Sequence, residues 1–443
     1  MQHNSPIARV VRDIYLSRIL TRSGDQAWDF AVPLTLVSMF ARGVQAAALY
    51  FLAVRMGQVL LAPKIGSLVD QWPRIKTIRV GIGTQVTFML AGVGILYMLS
   101  QKGSREISST TDILWFSAMI FTGLMSTLGS LITDIAVAND IIPTVVPAEN
   151  LPTVNARLHQ IDLATEVSSP IAAGLMLAAS PAHLPLLGFT MIALWNVLSF
   201  FPEYRLLQSV LKICPKLQTK KYDAPVTDTT SLGKKLVGGW SAFLRQPAMP
   251  SMAAYALLWL SVLSPHGILL AAYLKKGWGI SESALGIFRG AGALCGLTAT
   301  YLYPKYARKF GMVGATRGFI LFQAVTVILA VAFFCTNSDL RYASLCFILL
   351  SRIGLYGFSV GEIQIRQLSI AENERGRVNG FASALTSIAT LGLYGAGTFY
   401  ADIDQFHILV YTSGIAVGIA ALVFCAWSIS PSGGVLYSDG LSK

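Results

Sequence analysis

A polar turn, Thr21-Arg22-Ser23-Gly24-Asp25-Gln26-Ala27-Trp28-Asp29, separates two apolar runs at 15–20 and 30–40. A helix in water carries such a turn freely. In a helix crossing hydrocarbon, a carboxylate near the bilayer centre costs about 2.5–3.5 kcal/mol on insertion scales, so Asp25 has to face a wet or protein-lined interior. Asp29 follows four residues later and can look into the same cavity. Ser23-Gly24 predicts a local loosening of the helix that frees carbonyls for a ligand. Three further polar groups fall in apolar stretches: Gln85 after a glycine-rich run, and Asn196 and Glu203, seven apart on one helical face with Ser199 between them. Asp25, Gln85, Asn196 and Glu203 are all hard oxygen donors, a set suited to a divalent cation of the calcium or magnesium type. For Gln85 and Asn196 the competing role is interhelical hydrogen bonding. For Glu203, next to Tyr204-Arg205, it is a plain interfacial carboxylate.

A second group of residues lies in the C-terminal part. Ser261-Val262-Leu263-Ser264-Pro265-His266-Gly267 interrupts an apolar run. Pro265 removes a backbone donor and Gly267 weakens helix further, so the span is expected to unwind there. His266 then stands mid-membrane, and an imidazole suits iron, cobalt, nickel or zinc better than calcium. The competing role is a hydrogen-bonded histidine in a kinked helix. Glu362 is another intramembrane carboxylate, whose partner would be Arg352 or Arg366 and which would then act as a latch. Asp140, Asn155, Arg157, Asp162 and Glu166 cluster about the fifth span and the loop before it. With Asp70 and Arg74 they read as a charge network that breaks and re-forms between states.

The elements that position these residues follow from composition. The chain has 443 residues, 54% hydrophobic and only 13% charged, against about 25% charged in a soluble domain. Its mean hydropathy is +0.59. At about 20 apolar residues per span, it reads as an all-α polytopic membrane protein of about 12 transmembrane helices. The expected spans are 15–40, 44–68, 76–100, 112–136, 153–180 and 184–208, then 248–274, 281–304, 312–336, 340–368, 376–402 and 405–430. This divides the chain into an N-terminal six-helix half (1–208), a basic linker (209–246) and a C-terminal six-helix half (247–443). The net charge of +12 comes from basic residues beside spans, so nucleic acid is not an expected partner. Arg9, Arg12 and Arg18, then Arg74, Lys76 and Arg79, the linker lysines, Lys305, Arg308 and Lys309, and finally Arg366, Arg375 and Arg377 place both termini and the linker on the cytoplasmic side. The start, 1–18, is polar and basic with no small-residue cleavage site, so no cleavable signal peptide is expected. Five scattered cysteines form no C-x-x-C pair and imply neither a disulfide framework nor a zinc site. No Walker-type phosphate loop and no catalytic arrangement in a water-facing segment is present, so neither ATP hydrolysis nor enzyme activity is expected.

A weak internal repeat points to duplication. Ala148-Glu149-Asn150 with Val154-Asn155-Ala156 recurs, with one residue of slip, as Ala371-Glu372-Asn373 with Val378-Asn379-Gly380. Two pseudo-symmetric halves are the architecture of major-facilitator transporters. The loop Gly66-Ser67-Leu68-Val69-Asp70-Gln71-Trp72-Pro73-Arg74-Ile75-Lys76 resembles the signature loop of that superfamily. More specifically, the chain resembles the ferroportin family of iron exporters, and its bacterial members in particular. The likeness is carried by Gly24-Asp25-Gln26-Ala27-Trp28-Asp29-Phe30-Ala31-Val32, by the loop from Val69 to Lys76, by Val154-Asn155-Ala156-Arg157-Leu158-His159-Gln160-Ile161-Asp162 and by Trp195-Asn196-Val197 with Glu203-Tyr204. Arg352-Ile353-Gly354-Leu355-Tyr356 and Glu372-Asn373-Glu374-Arg375-Gly376-Arg377-Val378-Asn379-Gly380 continue it.

The resemblance implies a divalent-metal exporter of major-facilitator fold that works by alternating access. It implies Asp25 as a metal ligand, with Thr21, Asn196, Ser199 and the backbone of Phe200 around iron. It also implies a calcium site at Asp25, Gln85, Asn196 and Glu203, and gating roles for Asp70, Arg74, Asp140, Asn155 and Asp162. The chain departs from the animal members, which have a histidine where Asp29 stands, a cysteine where Gly267 stands and a histidine in the eleventh span where this chain is apolar around Leu393. His266 is expected to take over the second-half metal role. The expected activity is export of Fe²⁺, with Co²⁺, Ni²⁺ or Zn²⁺, from the cytoplasm across the inner membrane by a monomeric uniporter or proton antiporter, with Ca²⁺ as a further ion and no organic cofactor. The rivals are a proton-coupled exporter of organic compounds, with a pocket lined by Trp195, Phe200, Tyr255 and Trp259, and a metal-sensing receptor using the linker or the tail from Pro431 onward.

Overall fold

Apolar side chains in long runs, interrupted by few breakers, leave the backbone no partner but itself, and helix is the result. The computed structural model describes residues 6–40, 43–100, 110–180, 187–214, 217, 240–241, 243–265, 267–280, 282–336, 339–399 and 403–430. Among these there is no β-strand. The helices are α1 (Pro6–Met39), α2 (Gly43–Gln71), α3 (Arg74–Ser100), α4 (Thr110–Asp134), α5 (Leu151–Ala178) and α6 (Leu187–Ile213). They continue with α7 (Met249–Leu258), α8 (Ile268–Trp278), α9 (Glu282–Phe334), α10 (Ala343–Ser369), α11 (Arg375–Phe399) and α12 (Phe406–Ile429). α9 is two arms joined at Gly311, and α7 and α8 are the halves of one broken span, so the elements match the expected spans closely.

Among the described residues, six helical stretches are long and apolar enough to cross a membrane on composition alone. α1, α5, α6 and α11 are not among them.

The chain forms two units, each described by itself. Unit 1 comprises Met1–Pro147, Ala164–Gly239 and Glu372–Ala384; unit 2 comprises Ala148–Leu163, Trp240–Ala371 and Leu385–Lys443. In unit 1, Trp28, Ala31, Val32 and Leu36 of α1 pack against Phe189, Ile192 and Ala193 of α6, with Tyr50 and Val54 of α2 and Met89 and Leu96 of α3. The Trp28 and Phe189 rings lie 4.9 Å apart. In unit 2, Phe358 of α10 sits between Tyr255 of α7 and Phe424 of α12, and Tyr273 of α8 stacks on Phe406 at 4.1 Å.

Two sequence expectations are corrected. α1 stays helical through Ser23-Gly24, so no carbonyl is released there. Asp140 is not in a loop: the chain continues α4 through a π-helical stretch, Ile135–Ile141, and one further α-turn, Ile142–Val145. The wider π-turn rotates the following residues and buries Asp140. The expected break after α7 is present. Residues 259–265 and 267 are non-helical apart from turns, and the backbone there finds partners: Val262 N–H donates to Ser413 Oγ at 2.8 Å, and the Leu263 carbonyl accepts from Arg352 at 2.9 Å. Freed backbone groups at membrane depth need such partners. His266, most of the basic linker and the tail from Pro431 lie outside the described residues.

α3 and α4 approach closely at Gly129, where a Cβ would stand 2.5 Å from the Gln85 backbone nitrogen. This crossing sets Gln85 and Ser130 side by side. Gly129→Val is expected to force the two helices apart and cost about 1–3 kcal/mol, as overpacking does. The check is a thermal unfolding midpoint in detergent; an unchanged midpoint would contradict the close approach.

Candidate functional site

Three helices converge on the Asp25 carboxylate of α1. Gln85 Nε2 of α3 donates to Oδ1 at 2.5 Å, and Ser130 Oγ of α4 donates to Oδ2 at 2.7 Å. Arg22, one turn earlier, holds its guanidinium 3.9 Å from Oδ2. From α6, the Asn196 amide lies directly against Gly24: its Nδ2 donates to the Ile192 carbonyl at 3.0 Å, and Oδ1 occupies the space that a Cβ at position 24 would need. Glu203, one face of α6 further along, is buried and has Oε1 2.6 Å from the Thr21 hydroxyl. That hydroxyl is also 3.0 Å from the Ser17 carbonyl, and its single proton serves one acceptor at a time. Glu203 feels the negative charges of Asp25 and Asp134 directly. Ser199 Oγ donates to the Asn196 carbonyl at 2.9 Å, and Phe200 is half-buried with its ring stacked on Tyr204.

Thr21, Asp25, Gln85, Asn196, Ser199 and Glu203 therefore occupy one region of unit 1. Asp29 does not share it in the same way: it is exposed and lies near Arg55 and Tyr50 of α2. Reading the sequence missed Ser130 and Asp134. Asp134 accepts from Arg18 at 2.6 Å and from Arg22 at 2.7 Å, and so anchors the cations beside the site. The available signal is the i, i+4 ladder Ser126, Ser130, Asp134 on one stripe of an otherwise apolar helix.

Magnitudes decide what such a cluster is for. An interhelical side-chain hydrogen bond within a membrane contributes about 0.6 kcal/mol on average. A mid-membrane carboxylate costs about 2.5–3.5 kcal/mol. Two hydrogen bonds to Asp25 do not offset its insertion, and Glu203 repeats the cost nearby. As helix adhesive the arrangement is a poor bargain; as a nest of oxygens around a cation the two carboxylates are what the chemistry asks for. Among the described residues no group of three His, Cys, Asp or Glu converges, so the remaining donors are amides and hydroxyls.

A second network lies at the other end of unit 1. Arg74 grips the buried Asp140 with two hydrogen bonds, Nε at 2.9 Å and Nη2 at 3.2 Å, and also pairs with Glu372. Asp70 caps α11: its two oxygens accept the backbone N–H groups of Gly376 and Arg377, each at 2.6 Å. A carboxylate at a helix N-terminus satisfies orphan donors and complements the dipole. Asn155 and Asp162 are in unit 2. Asn155 exchanges two amide hydrogen bonds with Gln367, and Asp162 is half-buried on α5.

In unit 2, Glu362 pairs with Arg366, not Arg352, at 2.8 Å. His159 lies within α5 with Nε2 3.4 Å from Ser359 Oγ. Trp195 of unit 1 is 45% exposed and Trp259 of unit 2 is 47% exposed.

A family model described as Ferroportin1 (FPN1) matches residues 8–417. The chain is 43% identical over 433 residues to Ferreportin of Bdellovibrio bacteriovorus, with 95% of each chain covered. A bacterial homologue of the iron transporter ferroportin, solved in an outward-facing state, matches with TM-score 0.86 at 42% identity, covering 95% of this chain and 100% of that one. One solved in an inward-facing state matches with TM-score 0.64 at 41% identity, covering 95% and 99%. A proton:xylose symporter of the major facilitator superfamily, 13% identical, matches with TM-score 0.67 over 97% of each chain, a likeness of fold alone. The chain is a multi-pass membrane protein of major-facilitator fold in two pseudo-symmetric six-helix halves.

The Arg74–Asp140 pair is almost wholly buried. Arg74→Ala strands a buried carboxylate and is expected to cost about 3–5 kcal/mol, whereas Arg74→Met combined with Asp140→Leu removes both charges and should restore most of it. Thermal unfolding of the three proteins checks this; equal loss in single and double variants would contradict it.

Proposed function

The chain belongs to the ferroportin family, and from that premise we propose that it exports a divalent transition metal from the cytoplasm across the inner membrane. Fe²⁺ is the substrate, with Co²⁺, Ni²⁺ and Zn²⁺ accepted. The family is one of membrane transporters, and the protein works as a carrier rather than an enzyme. Both termini are cytoplasmic and the protein acts as a monomer.

The observation that carries this reading is the Asp25 carboxylate held by Gln85 and Ser130, with the Asn196 amide against the neighbouring Gly24 and Glu203 within electrostatic reach. An arriving dication takes the Asp25 oxygens from the Gln85 and Ser130 donors. Gln85 then turns its amide so that Oε1 faces the ion, since only the carbonyl end can ligate. Arg22 already holds Asp134, so it can leave Asp25 to the metal without losing its counter-charge. Thr21, Ser199 and the Phe200 carbonyl complete the iron ligands. Calcium uses the overlapping set Asp25, Gln85, Asn196 and Glu203, so the two ions compete. His266 receives the transition metal in the second half.

Transport proceeds by alternating access. A bacterial homologue of ferroportin is known in both outward-facing and inward-facing states, which supports a two-state cycle. The caps and ion pairs of Asp70, Arg74 and Asp140, with Asn155 and Asp162, are the contacts that break and re-form. Charge networks of this kind are bistable because each partner needs a counter-group in both states.

The test is quenching of a metal-sensitive dye sealed in liposomes that contain the protein. Rapid Co²⁺ entry is expected in the wild type, at least ten-fold slower entry in Asp25→Ala, and an intermediate rate in Ser130→Ala. Undiminished flux in Asp25→Ala would contradict the site, and an absence of metal flux in the folded wild type would favour an organic substrate. His266→Ala is expected to weaken Co²⁺ binding in calorimetry while leaving Ca²⁺ binding unchanged; equal loss of both would refute two separate ion sites.

A further inference from the structure

Glu362 is a buried carboxylate in unit 2 that the reading above leaves without a task. It lies in α10, 1% exposed, and among the described residues no group other than Arg366 approaches either carboxylate oxygen as a donor. Its contact with Arg366 is an ion pair at 2.8 Å whose angles do not form a hydrogen bond. The charged or titratable groups facing it are Arg366 from its own helix and the Tyr255 hydroxyl from α7. The Tyr255 hydroxyl accepts from Ser359 Oγ at 3.4 Å, and that Oγ in turn lies 3.4 Å from His159 Nε2 of α5. On the far side of α10, α9 presents Thr316 against Gly361 and Tyr303 against Gln364, both uncharged.

A buried carboxylate without hydrogen bonds is unusual because a structural ion pair is normally completed by donors on its remaining lone pairs. Arg366 supplies one charge partner; the remaining lone pairs, which no donor among the described residues meets, leave room for a second cation or a proton. A metal ion is disfavoured by the guanidinium already within 2.8 Å and by the lack of converging ligands among the described residues. A proton fits without further ligands: it bonds to one oxygen, the carboxyl becomes neutral, and Arg366 keeps its charge and is released from the pair. Loss of the proton re-forms the pair. The chain Tyr255–Ser359–His159 adjoins this position and offers hydroxyl and imidazole groups that can relay a proton.

We propose that Glu362 is a proton-exchange site in unit 2 and that its proton is the second ion of the transport cycle. The coupling rests on the transport reading given above; the proton site itself does not. Difference infrared spectroscopy of the reconstituted protein reads the site directly. A carboxylic-acid carbonyl band that grows as pH falls is expected in the wild type and is missing in Glu362→Gln. Arg366→Met removes the neighbouring cation that favours the ionised form, so the band should persist to higher pH, which also serves if Glu362→Gln folds poorly. Identical spectra and identical titration in all three proteins would overturn the proposal, because a merely structural pair has no proton to lose.

The coupling is read with a pH-sensitive dye in the same liposomes. Co²⁺ entry accompanied by proton exit in the wild type, with proton movement lost and Co²⁺ binding retained in Glu362→Gln, supports it. Co²⁺ entry without proton movement in the wild type overturns the coupling. A titrating band without any metal flux overturns the transport reading and leaves the proton site standing.

Discussion

A charge placed among membrane helices must be given a partner, and most of this molecule's polar architecture follows from that constraint. Asp25 is the central case. Its carboxylate sits on an unbroken helix, so the backbone offers it nothing. Gln85 and Ser130 come from two other helices, and the Asn196 amide closes in from a fourth. These four helices can meet there only because α3 and α4 cross at Gly129, and α1 and α6 at Gly24. The site is thus an outcome of small residues at crossings as much as of polar residues between them, the pattern by which membrane helices approach closely.

The same constraint explains the secondary networks. Asp70 spends both oxygens on the N-terminus of α11. Arg74 neutralises Asp140, which the π-helical stretch has turned inward. Arg352, also buried, donates to the Leu263 carbonyl in the break after α7. In each case a charge is matched to a backbone dipole or to an opposite charge. Glu362 departs from the rule, since its ion pair lacks the hydrogen bonds that the others have.

Much of the fold was legible because the apolar runs are long and their ends are marked. The broken seventh span was legible from Pro265 and Gly267 alone. Asp25, Gln85, Asn196 and Glu203 stood out because polar side chains are rare in such runs. Ser130 did not stand out: a serine in a membrane helix can satisfy itself on its own backbone, so its presence says little until a partner is seen. Asp134 passed unremarked inside an expected span, and Asp140 was read as a loop charge because helical periodicity gives no hint of a π-turn. The continuity of α1 through Ser23-Gly24 was also hidden, since glycine permits loosening without requiring it. Tertiary packing on Asn196 decides that case, not local propensity.

The most direct test of the central claim is a Co²⁺-soaked crystal examined by anomalous diffraction. The account predicts an anomalous peak at coordinating distance from the Asp25 carboxylate, with the Gln85 and Asn196 oxygens turned toward it. That peak should be lost in Asp25→Ala while the fold is unchanged. A peak in unit 2 alone, with Asp25 still held by Gln85 and Ser130, would contradict it.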